Sequence, residues 1–172
     1  LGFDYEDVWS ISVSSGERMG FFEPEGMQRR RELFRNLLES LRNFSEIEAS
    51  AAVSFSPYNS SRYVFMNGCD AYPVSDGFRE VMHVELLEGE WFSEDYDHVD
   101  WHPVIINRRF AEERFGDHSP LGQLLNEPDE NERKMRVIGV MEDFHFRSLH
   151  YFVEPVVLYI FPRTPAFKWM SN

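Results

Sequence analysis

The fold turns on Arg136–Pro155, RVIGVMEDFHFRSLHYFVEP, taken together with Pro103–Leu125, PVIINRRFAEERFGDHSPLGQLL. Each opens on a short run rich in β-branched residues, Val104–Ile106 and Arg136–Met141, with the length and composition of a buried strand. Asn107 follows the first run and is placed to N-cap a helix over 108–115, where its side-chain oxygen can accept an orphan backbone N–H. Gly116 stands where that helix ends, in left-handed backbone that spares glycine the Cβ clash. Pro120 and Gly122 mark a turn with positive φ, and Gly139 inside an apolar strand marks close backbone approach or a bulge. After Asp143-Phe144-His145 the spacing predicts a short helix or turn over 146–153, then a final strand over Val156–Phe161.

Outward from this block, Trp9, Ile11 and Val13 alternate with serines in the pattern of a half-buried strand. Phe34, Leu37, Leu38, Leu41 and Phe44 fall at helical spacing within 27–44, with Arg29, Arg30, Arg31, Arg35 and Arg42 mostly on a solvated face. Alternation returns over Ile47–Phe55, so the first fifty-odd residues predict a βαβ unit. Further strands are expected at Tyr63–Met66 and Val84–Leu87, a short helix capped by Asp76 runs to Met82, and 95–101 and 127–134 are loops.

The chain of 172 residues can bury roughly two-thirds of its unfolded surface. Its 42% hydrophobic and 16% aromatic content argue for a packed fold. A net charge of −13 argues against nucleic acid as a partner and against adhesion to anionic lipid. The lone Cys69 excludes an intramolecular disulfide and is expected to be buried as a small hydrophobe. No apolar run approaches the ~20 residues that span a bilayer, and LGFDYEDVW has neither the basic nor the apolar region of a signal peptide. With no initial Met, the sequence is expected to be a segment of a longer protein.

Three features tempt a chemical reading. Asp95, Asp97, His98, Asp100 and His102 form the densest run of metal-ligand types, but without EF-hand glycine punctuation or an HExxH helix, so solvated carboxylates are expected and no metal site is assigned. Glu142, Asp143 and His145 offer the carboxylate–imidazole pair of a general base, but no Gly-x-Ser-x-Gly elbow accompanies them. Phe144 is expected to anchor a core while Asp143 and His145 hydrogen-bond the turn. No GxxxxGK[ST] phosphate loop is present. No catalytic residue and no cofactor is assigned. Trp91-Phe92 and Trp101 are expected to pack into the core.

The order and spacing of Val104–Asn107, Phe115-Gly116, Pro120-Leu121-Gly122, Val137–Val140 and Asp143-Phe144-His145 resembles the MacB-like periplasmic core domain of ABC-transporter permeases, a group that includes the FtsX-like and lipoprotein-release permeases. Asn107, Phe115, Gly116, Pro120, Gly122, Gly139, Asp143, Phe144 and His145 carry the signature, and their role is expected to be structural. Glu90 in Leu87–Phe92 stands where the family usually has Arg. The resemblance implies an α+β fold with mixed sheets and a βαβ unit in two lobes. A discontinuous porter-like lobe is expected over 1–66 and 136–172, incomplete at its C-terminal end, with an inserted lobe over 67–135.

The same resemblance implies an extracytoplasmic domain at the periplasmic face of a bacterial inner membrane, not an enzyme, held by flanking membrane helices outside this chain. It would couple ATP-driven movement to a substrate or partner outside, hinging near residues 1–6 and beyond 161. Implied partners are an ABC ATPase reached through the membrane parts, a second permease copy, and a periplasmic or outer-membrane protein; the isolated domain is expected to be a monomer. The rival reading is an extracytoplasmic small-molecule sensor or binding module.

Overall fold

Six consecutive residues, His102–Asn107, are all buried, and they form the middle strand of a five-stranded mixed sheet. The structure is a computed structural model, and it describes residues 8–13, 24–53, 69–125, 134–145 and 152–160. In chain order the elements are α1 (Pro24–Leu41), β1 (Asp70–Val74), α2 (Phe78–Val81), β2 (Leu86–Gly89), β3 (His102–Asn107), α3 (Arg108–Phe115), β4 (Met135–Met141) and β5 (Val156–Ile160). A 3-10 turn over Glu94–His98 precedes β3. The sheet order is β1-β5-β3-β4-β2. β3 runs parallel to β4 and antiparallel to β5, β1 is parallel to β5, and β2 is antiparallel to β4. The architecture is thus mixed α+β.

Strands covered on both sides carry apolar residues without interruption, because neither face has water to satisfy a polar side chain. On one face Ile105, Ile138, Met141 and Leu158 pack with Phe78 of α2, Phe92 and Phe144. On the other, Val104, Ile106, Val137, Val140 and Val157 pack with Phe110 of α3 and Leu125. Period-two alternation would part Val137 from Val140. They share a face because the register passes from Val104↔Val137 to Ile105↔Gly139, leaving Ile138 as the extra residue of a bulge.

The parallel crossover expected near the N-terminus is found instead at β3–α3–β4. Residues 8–13 form no regular strand, and Trp9 and Ile11 are 90% and 74% exposed. The helix starts and ends three residues earlier than expected, at Pro24 and Leu41. Proline suits a first helical turn, whose N–H has no partner to lose. Of the strand expected over 47–55, the described part supplies only a single antiparallel bridge, Val53↔Val74. Ala49, Ser50, Ala51 and Ala52 have little to pack on a pleated surface, which weakens the alternation signal. The expected strand at Tyr63–Met66, most of the 127–134 loop and of the 146–153 turn, and the tail beyond 160 lie outside the described residues. No strand is predicted from the sequence over DAYPV, which forms β1. Pro73 is tolerated because β1 lies at the edge of the sheet. The sheet takes β1, β2 and β3 from 67–135 and β5 and most of β4 from 136–172.

Candidate functional site: the joint beyond β3 and β4

The last residue of β3 organises three chain segments at once. Asn107 is 1% exposed and has extended backbone at φ −81°, ψ 165°. Its Oδ1 accepts the Phe110 N–H at 3.1 Å and the Val156 N–H at 2.9 Å. Its Nδ2 donates to Asp143 Oδ1 at 2.8 Å and to the Glu154 carbonyl at 3.0 Å. Two donors and two acceptor positions are all that a side-chain amide offers, so Asn107 is fully satisfied. It caps α3, holds the chain leaving β4 and holds the chain entering β5.

Asp143 completes the joint. The carboxylate oxygen that accepts from Asn107 also accepts the Arg109 N–H at 2.9 Å, in the first turn of α3, where the helix dipole favours negative charge. Glu142 accepts the Asp143 N–H at 2.9 Å through Oε1 and pairs with Arg108 at 2.5 Å through Oε2. Phe144 is 2% exposed and lies in the α2-side cluster; His145 is half-buried. The arrangement uses the Asp143 carboxylate to fix backbone. The Arg108–Glu142 pair is half-open to solvent, with side chains 46% and 27% exposed, and exposed pairs contribute little. Arg108→Ala is expected to shift stability by under ~1 kcal/mol in a urea titration; a larger loss would mean that the pair, rather than Asn107, holds the joint.

The remaining signature residues lie at the end of α3, in the turn after it and in β4. Phe115 packs partly buried against the α3-side cluster, and Gly116 ends α3 at φ +56°. Pro120 is buried, and Gly122, at φ +79°, donates its N–H to the Val137 carbonyl at 2.8 Å. Gly139 is a close approach: a Cβ there would stand 2.7 Å from the Glu90 carbonyl oxygen.

Among the described residues, no three His, Cys, Asp or Glu side chains are grouped so as to hold a metal. Asp95, Asp97 and His98 of the acidic run lie in the 3-10 turn, whereas His102 is buried in β3. Asp76 does not cap α2; Gly77 holds that position, and Asp76 accepts the Trp91 indole N–H through its carbonyl at 3.3 Å. Phe92 is buried in the core, and Trp91 and Trp101 pack half-buried at its margin. Trp101 meets Tyr96 edge-on at 5.4 Å, and Tyr96 donates a hydrogen bond to Glu90. Partial burial, then that bond to Glu90, pushes the Tyr96 phenol up to about 12.

Cys69 is 4% exposed, and burial chiefly raises its thiol to about 11 from 9.0. Because the folded value lies above the unfolded one, the thiol's contribution to stability is whole below pH 9.0 and is lost as pH rises from there towards about 11. A thiol reagent at pH 8 is expected to leave native Cys69 unmodified and to modify it on denaturation. Fast labelling of the native protein would show the site to be open.

The family model of the MacB-like periplasmic core domain matches residues 3–163. No curated protein matches the chain. Similar solved structures include the periplasmic region of MacB from Actinobacillus actinomycetemcomitans, at 15% identity and TM-score 0.44, covering 72% of this chain and 54% of that one. The extracellular domain of the ABC-type transporter YknZ from Gram-positive bacteria is 19% identical with TM-score 0.46, covering 72% and 60%. A domain of a permease protein from Porphyromonas gingivalis is 20% identical with TM-score 0.43, covering 74% and 60%. The chain therefore spans between about half and three-fifths of those chains. Among the described residues no helix is long and apolar enough to cross a membrane.

Proposed function

The chain belongs to the MacB-like periplasmic core domain family, and from that membership we propose that it is the mechanical output of an ABC-transporter permease. It stands at the periplasmic face of a bacterial inner membrane, anchored by membrane helices of the same permease. A separate ATPase drives those helices, and the domain carries their movement to a substrate or partner protein, working beside a second permease copy. The match over 3–163 carries this reading. The joint supports it, because a domain that transmits displacement has to be stiff inside and yield at its ends. Asn107 ties the ends of two central strands to the start of a third, so load entering one is shared by the others. The signature residues act as structural supports of that joint and of the β4 seams.

The test uses the whole permease with its ATPase in proteoliposomes. Spin labels at the exposed positions Arg79 and Glu112 report distance within the domain, and a label on the membrane part reports distance to it. Trapping with ATP and vanadate is expected to change the second distance and leave the first unchanged. A change between 79 and 112, or none anywhere, would defeat the mechanical reading. A change driven by a small ligand without ATP would favour a sensor.

A further inference from the structure

We propose that Arg136 and Trp101 form a subsite for a single carboxylate, an inference that does not rest on the permease reading. Arg136 is the second residue of β4, and its guanidinium carbon lies 4.7 Å from the centroid of the Trp101 ring. The residue is half-buried, and its Nε is buried with no hydrogen-bond partner among the described residues. Among the described residues, no carboxylate is ion-paired with it, although acidic residues outnumber Lys and Arg by 30 to 17. Arg108 and Arg109 each hold a glutamate. An arginine that is half-desolvated, stacked and, among the described residues, unneutralised has its charge available for something that is not part of the sheet.

The geometry says what that is. Nε is buried although the residue is only half-buried, and the two Nη groups of a guanidinium form a fork that matches the two oxygens of a carboxylate. The Trp101 ring backs the planar fork, and Tyr96 holds that ring by an edge contact at 5.4 Å and 68°. Tyr96 is in turn bonded to Glu90, so the wall is set before a ligand arrives. Lys134, exposed immediately before β4, adds positive charge. Glu90, Asp95 and Asp100 stand on the segments that carry Tyr96 and Trp101, and their charge disfavours a phosphate dianion more than a monoanion. A planar monoanion is the chemistry that fits.

The Nε–H of arginine gives its own signal in a nitrogen-edited NMR spectrum, and because Nε shares the delocalised guanidinium with the two Nη groups it reports a ligand bound at them. The intact chain is titrated with sodium acetate, with acetylated pentaglycine bearing a free carboxyl terminus, and with the same peptide amidated. The Arg136 signal is expected to move and saturate with a free carboxylate, and to stay in place with the amide. A response to acetate as strong as to the peptide identifies a small organic acid as the ligand; a response to the peptide alone identifies a chain terminus. Arg136→Lys keeps the charge but loses the fork and should weaken binding about tenfold. Trp101→Phe keeps a ring with a weaker face and should weaken it less. Both variants are checked for native melting. No response to any probe at millimolar concentration, or an equal response to the amide, overturns the proposal.

Discussion

Asn107→Ala is expected to destabilise the domain by about 4 kcal/mol, which for a domain of this size lowers the melting temperature by roughly 8–16 °C. The substitution removes four hydrogen bonds at once, each contributing about 1 kcal/mol net, at a site that is 1% exposed. The Phe110 and Val156 N–H groups and the Glu154 carbonyl each lose a partner with little water to replace it. Loss of the cap alone accounts for only ~0.5–2 kcal/mol. Asn107→Asp separates the two contributions. Aspartate caps a helix about as well as asparagine, so it retains both acceptor roles. It cannot donate to Asp143 or Glu154, and it sets two carboxylates at hydrogen-bond distance. If capping were the whole role, Asn107→Asp would melt near the native temperature. If the joint is what matters, it will melt close to Asn107→Ala. A melting temperature within ~2 °C of native for Asn107→Ala would remove the joint from the account of stability.

That joint also shows which parts of the molecule could be read in advance. The helix 108–115, its Asn107 cap and its Gly116 end depend on contacts within one or two turns, and local chemistry is what a sequence displays. The partners of Asn107 beyond the cap, 36 to 49 positions away, left no local signal. The β4 bulge was half legible: Gly139 announced close approach, but only the register against β3 shows that Ile138 is the extra residue. Alternation misled at Trp9–Val13, where the apolar residues stand exposed among the described residues, because period two describes a strand without supplying a neighbour. Arg136 was passed over since nothing about an arginine in a strand foretells an indole from residue 101 beneath it.

Gly89→Ala is the second large effect, about 2–5 kcal/mol, summed from left-handed strain and overpacking. Gly89 has φ +77°, and a Cβ there would lie 2.1 Å from the Ile138 carbonyl oxygen and 2.9 Å from the Gly139 Cα. Both are backbone atoms of the bulged strand and cannot rotate away. The end of β2 would have to lift from β4, breaking the bond from the Glu90 N–H to the Ile138 carbonyl at 3.0 Å. Gly122→Ala is the control: φ is +79°, but nothing lies within 4 Å of the added carbon, so only the conformational strain of roughly 1–2 kcal/mol remains. The difference between the two variants in denaturant unfolding measures the clash itself. Gly139→Ala strikes the same seam from the other strand, through the Glu90 carbonyl at 2.7 Å. Once β2 has lifted to admit one methyl, the second meets less resistance, so the double variant should lose less than the sum of the singles. Strict additivity would mean that each methyl is accommodated separately and that β2 stays seated in both.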